Sequence, residues 1–267
     1  MKPLYLLLAL LTIHSTIPAQ TADEILNLTQ RAYRTLENYV DQGSFVTEYY
    51  NNSPFKDSSY YYLAMDKNQT ISHLLKRFNN HEITGARYTK SAKDTLGEYT
   101  RLGTDDPSFK CSLNEAAARF GGAGGQMLFL FGSLMYTDFM TGTSGDSSSL
   151  LYYDNAKRLD DTTIHDIQCF VIKTTKTFHL TQEFADKLNF QKDSAQFLLD
   201  LPPEQRGALR TTPGPQTTEN IYYIWIGDFK LVRKEEFKFK DNNNKLTSKS
   251  SLQLHPRFNV KEFGNYL

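Results

Sequence analysis

Short runs of apolar and aromatic residues, many of them alternating with polar ones, recur along this chain and narrow its fold more than any other feature. Ser59-Tyr60-Tyr61-Tyr62-Leu63 and Ile221-Tyr222-Tyr223-Ile224-Trp225-Ile226 are the densest. Aromatic and β-branched residues at period two belong to strands. The spacing predicts strands at 44–50, 58–66, 70–79, 82–90 and 96–102, joined by short polar turns, which is the pattern of an antiparallel meander. Further strands follow at 150–154, 155–160, 167–176, 219–227, 229–240 and 246–256, with Asn242, Asn243 and Asn244 turning the last pair.

Helices interrupt this rhythm in few places. Thr21 stands as an N-cap before Asp23 and Glu24, and Ile25, Leu28, Ala32, Leu36 and Tyr39 recur at helical spacing, predicting a helix of about five turns. Residues 114–120 form a second short helix, stopped by a cluster with Gly121, Gly122, Gly124 and Gly125 that reads as a hinge. Beyond it, 126–139 is apolar all round, which suits either a packed core helix or a lid over an apolar cavity. Segment 178–217, with helical pieces and two proline clusters, reads as an insertion.

The first residues set the expected address. Lys2 precedes an apolar run from Leu4 to Ile13, and Ala19 offers a small residue for cleavage, so 1–19 reads as a signal peptide. That run is shorter than the roughly 20 residues a membrane helix needs. No later segment is long enough either, 126–139 being interrupted by Gly132, Ser133 and Asp138. The expectation is an exported, soluble, periplasmic protein, with secretion as the alternative, whose mature part, 20–267, is one domain.

Charge and chemistry exclude much. The 30 Lys and Arg residues balance the 30 Asp and Glu residues, which removes the electrostatic case for nucleic acid as a partner. His73, His81, His165, His179 and His255 show no metal-ligand spacing, so neither metal nor cofactor is expected. Phe131-Gly132-Ser133-Leu134 lacks the form of a nucleophile elbow. Asp105-Asp106, Asp160-Asp161 and His165-Asp166 read as solvated turns. No catalytic residue is assigned, and an enzyme is not expected. Cys111 and Cys169 can close a disulfide worth about 2–4 kcal/mol, while Cys169 equally fits a small buried strand residue.

Several segments together carry a family resemblance. They are Ala22-Asp23-Glu24-Ile25-Leu26, Leu36-Glu37-Asn38-Tyr39, Gly43-Ser44-Phe45, Leu75-Lys76-Arg77-Phe78-Asn79, Leu113-Asn114-Glu115-Ala116-Ala117 with the glycine cluster, Ile167-Gln168-Cys169-Phe170-Val171-Ile172, and Tyr223-Ile224-Trp225-Ile226-Gly227-Asp228-Phe229-Lys230-Leu231-Val232-Arg233-Lys234. In this order the chain resembles the LolA/LolB-like superfamily of periplasmic lipoprotein and lipid carriers. The resemblance implies an α+β, mainly antiparallel fold: a strongly curved, unclosed half-barrel sheet with helices covering its concave face. It also implies a protein without chemistry, whose cavity holds acyl chains or another apolar ligand; the expectation is a monomer whose partner is a lipid or an acylated protein. Phe45, Tyr61, Leu74, Phe78, Met127, Phe129, Leu134, Tyr223 and Trp225 are then expected to line the cavity, and a one-residue slip of a strand inverts that choice. The alternative is a sensor or docking module that binds an envelope protein partner through 178–217.

Overall fold

The computed structural model describes residues 20–50, 55–77, 83–91, 93–120, 130–131, 134–135, 153–183, 185–186, 189, 212–227, 232–240 and 245–263. Helix α1 spans Ala22–Arg34 and is followed by strands β1 (Asn38–Tyr49), β2 (Phe55–Asp66), β3 (Thr70–Arg77), β4 (Ile83–Thr89), β5 (Gly97–Leu102) and β6 (Phe109–Cys111). Helix α2 (Leu113–Phe120) precedes β7 (Asn155–Ile164), β8 (Ile167–Leu180), β9 (Gly214–Trp225), β10 (Val232–Lys240), β11 (Leu246–Gln253) and the short β12 (Arg257–Phe258).

All strands join one antiparallel sheet in the order β6-β5-β4-β3-β2-β1-β11-β10-β9-β8-β7, with β12 paired to the start of β1. Two meanders are therefore sewn together at their centre by β1 and β11, where Phe45 stands opposite Leu252. The path ends at β6 and β7, which do not pair with each other, so the sheet is unclosed.

Local chemistry explains most element ends. Thr21 caps α1 through a capping box: its hydroxyl accepts from the Glu24 amide at 3.2 Å, and its own amide donates to the Glu24 carboxylate at 2.8 Å. The helix is shorter than the spacing predicts. It stops at Arg34, and Tyr39, expected on its last turn, lies on β1 instead. Its buried residues include Ile25, Leu26, Thr29 and Tyr33. His165 and Asp166 make the tight β7–β8 turn, both with positive φ (47° and 63°), as a two-residue hairpin loop requires.

Asp160-Asp161 is not a turn. The pair lies inside β7 where the register with β8 shifts between Leu159 and Thr162, and Asp161 holds the Arg158 guanidinium at 2.8 Å. Strand β8 continues to Leu180 and β9 starts at Gly214, so both run into the segment read as an insertion. The cysteines do not pair. Cys111 and Cys169 are both buried, and no disulfide joins them. They sit on β6 and β8, on opposite sides of the β1–β11 seam in the strand order, and each fills its own packed site.

Candidate ligand-binding face

Residues directly opposite across an antiparallel pair share a face, so the register carries one face across the sheet. Starting from Tyr39, that face collects Met65, Ile71, Tyr88 and Tyr99 along successive strands β2 to β5. Starting from Phe45, it collects Leu252 on β11 and, across β10, Tyr222 and Ile172 on β9 and β8. All of these belong to one hydrophobic cluster that also takes in Ile25, Leu26 and Tyr33 of α1 and Leu113 and Ala116 of α2. This is the core face.

Both helices touch it. Tyr33 packs its ring on Tyr39 (centroids 5.7 Å apart) and stacks on Phe131 (5.8 Å), and its hydroxyl accepts from the Val232 amide at 3.3 Å. One side chain thus ties α1 to β1 and to β10. Phe120 of α2 meets Tyr99 and His73 edge-on at 5.5 and 5.8 Å.

Two ionisable groups are buried in this face. Asp41 lies between Tyr39 and Gly43 on β1 and is fully buried. Its Oδ2 accepts from the Tyr39 hydroxyl at 2.5 Å and its Oδ1 from the His255 amide at 2.8 Å, while the nearby Tyr61 hydroxyl donates to the Gln253 carbonyl at 3.0 Å. Burial pushes the Asp41 carboxyl up to about 7 against the opposing pull of those donors. Burial, and then the neighbouring Asp41, raises the Tyr39 and Tyr61 phenols well above their ordinary value. His73 stands opposite Leu63 with its Nε2 buried and unpartnered, and burial lowers it to about 4, so it is neutral at pH 7.

Toward the far end of the face the chemistry changes. Thr47, Ser250, Asn220 and Thr174 lie on one row across β1, β11, β9 and β8, with Phe237 at the β10 position between Ser250 and Asn220, and Gln216 lies further along β9 on the same face. Thr47, Ser250, Thr174 and Gln216 are all buried.

The residues expected to line a cavity separate accordingly. Phe45 and Tyr61 lie on the core face, and Leu134 is buried in its cluster. Leu74 is a correction: it stands on the opposite face, 38% exposed, against the bare backbone of Gly85. Tyr223 and Trp225 also fall on that opposite face, because their neighbours Tyr222 and Ile224 take the core side. Phe78, Met127, Phe129 and the hinge glycines Gly121, Gly122, Gly124 and Gly125 lie outside the described residues. The sequence reasoning missed Tyr33, Tyr88, Tyr222 and Ile224. In Leu74-Leu75 and in Ile221–Ile226 every residue is apolar or aromatic, so no alternation marks which side faces the core.

Among the described residues no group of three or more His, Cys, Asp or Glu could hold a metal, and no helix is long and apolar enough to cross a membrane. Fold and face together define an unclosed antiparallel sheet that gathers its apolar side chains on one side. No protein-family model matches the chain, and no curated protein does. Among solved structures it is similar to the Mycobacterium tuberculosis lipoprotein LppX, at 10% identity over 92% of this chain and 98% of that one, with a TM-score of 0.41. It is also similar to LprF from Mycobacterium bovis (12% identity, 90% and 93% covered, TM-score 0.39). A third likeness is to a LolA superfamily protein from Nitrosomonas europaea (9% identity, 93% and 98% covered, TM-score 0.35).

Proposed function

We propose that this chain is a non-enzymatic protein of the cell envelope that holds a lipid-like or acyl group against the core face of its sheet and carries it between sites. The observation that supports this is the face itself. Strands β1 to β5 and β8 to β11 all send apolar side chains to one side of a sheet that does not close on itself. An open sheet whose one face is mostly apolar offers non-directional burial in proportion to area, which suits acyl chains. The balance of charge in the whole chain leaves apolar contact as the main source of affinity.

In this reading Phe45, Tyr61 and Leu134 touch the ligand, and Phe78, Met127 and Phe129 complete the lining. Helices α1 and α2 cover the face, with the glycines of 121–125 as the hinge. Residues 1–19 direct export, and 20–267 act as one monomeric domain. The partner is a lipid or an acylated protein. Native mass spectrometry with lipid extraction, on protein purified from its own envelope, tests the proposal. A reproducible co-purifying lipid is expected. Protein that is always empty and takes up no fluorescent acyl probe overturns it.

A further inference from the structure

We propose that the ligand's polar end is a neutral, hydroxyl-bearing head seated on the row formed by Thr47, Ser250, Asn220 and Thr174, with Gln216 beyond it; this rests on the acyl-binding reading above. The row lies directly beside an apolar one. Phe45, Leu252, Tyr222 and Ile172 stand on the core face two residues away along the same strands, with Glu235 at the β10 position between Leu252 and Tyr222. An amphiphile laid along the strands would pass from aromatic and aliphatic contact to hydroxyl and amide contact within two residues, roughly 7 Å.

Two of these polar groups are incomplete. The Asn220 amide donates to the Tyr222 hydroxyl at 2.6 Å, but its Oδ1 is buried with no partner. Gln216 is 2% exposed; its Nε2 donates to the Thr212 carbonyl, and its Oε1 is likewise buried without a partner. Both orphans are carbonyl acceptors. A buried acceptor left unmet is costly, so a donor belongs there. Thr47 and Ser250 already satisfy each other, their hydroxyl oxygens 2.9 Å apart, and either can accept again.

The same chemistry argues against an ionised head. A carboxylate or phosphate only accepts, and it would meet the negative ends of two amide dipoles. Lys176, one row further along β8, already has an interaction of its own. What fits is a glyceride-like or other polyhydroxylated neutral head.

The test is displacement of a fluorescent acyl probe from the full chain by three competitors: 1-monopalmitoylglycerol, its di-O-methyl ether, and palmitate. The glyceride should compete about tenfold better than the ether, the equivalent of one or two hydrogen bonds, and better than palmitate. In Gln216→Met and Asn220→Leu the glyceride-to-ether ratio should fall toward one. The inference is overturned if glyceride and ether compete equally, or if the variants weaken every competitor and the probe alike. Should a variant fail to fold, the glyceride-to-ether ratio in the unaltered protein decides alone. Failure of any probe to bind defeats the acyl-binding reading and this inference with it. Binding without discrimination between heads defeats this inference only.

Discussion

The two meanders of the sheet bury different kinds of surface. On the N-terminal side, β1 to β5 present Tyr39, Met65, Ile71, Tyr88 and Tyr99, and α1 and α2 pack Tyr33 and Phe120 directly against that half. On the C-terminal side the apolar stretch of Phe170, Ile172, Tyr222 and Ile224 gives way to Thr174, Asn220 and Gln216. The first half is an aromatic core that traps two ionisable groups, Asp41 and His73, the latter with its Nε2 unmet. The second ends in polar side chains, two of them with unmet acceptors, and a chain optimising its own stability alone would not place them there. The contrast teaches that the N-terminal meander supplies the stability that the C-terminal meander gives up at its polar end.

Truncation in the first half should have the largest effect. Tyr88 is fully buried, and Tyr88→Ala should cost about 3–5 kcal/mol in chemical denaturation. A loss under 1 kcal/mol would break the comparison, because the N-terminal half would then be no better packed than the other.

The trapped ionisable groups predict opposite pH slopes. Asp41 has its folded value raised from 3.8 to about 7, so as pH rises through that window the unfolded state releases its proton first and stability falls, by about 4 kcal/mol in all. His73 is lowered from 6.5 to about 4, so as pH falls through that window the unfolded state takes a proton first and stability again falls, by about 3 kcal/mol. Between about pH 4 and 6.5 the two slopes offset each other. Asp41→Asn should therefore gain stability as pH rises through that range, and His73→Leu should lose it, where the unaltered protein changes little. Denaturation midpoints for all three between pH 4 and 7.5 decide the matter, and parallel curves would remove both groups from the account.

The seam between the halves comes next. A Cβ added at Gly43 would sit 2.0 Å from the Gln253 carbonyl oxygen and 2.7 Å from the Tyr61 hydroxyl, where β1 meets β11. Gly43→Ala should cost roughly 1–3 kcal/mol, and amide exchange should rise on both β1 and β11. Exchange rising on β1 alone would mean the seam does not couple the meanders. The smallest effect is expected at the polar row, where Thr174→Val removes one buried hydroxyl and should cost no more than about 1.5 kcal/mol. A large loss there would show that the row is structural.

Much of the fold was legible because its signals are local. The alternation over 58–66 and 83–89 reflects strands with one face buried, and the Thr21 cap with Glu24 three residues on gives a helix start that the structure reproduces in both hydrogen bonds. Tyr39 was misplaced because helical spacing and strand alternation both allow an apolar residue there, and tertiary packing settled it. The two-residue strand β12 and the three-residue β6 are too short to carry a period.

The amino-acid sequence by itself determined that this chain forms a mostly antiparallel sheet, with a capped helix ahead of it and no strong net charge. It did so because period, caps and composition act over a few residues. Only the tertiary structure decided which side of Leu74-Leu75 and Tyr222-Tyr223 faces the core, since an unbroken apolar run has no preferred face until neighbouring strands fix its register. It alone decided that β1 pairs with β11 some 200 residues away. That pairing carries the His255 amide to Asp41 and sets Thr47, Ser250, Asn220 and Thr174 in one row, which no local pattern encodes.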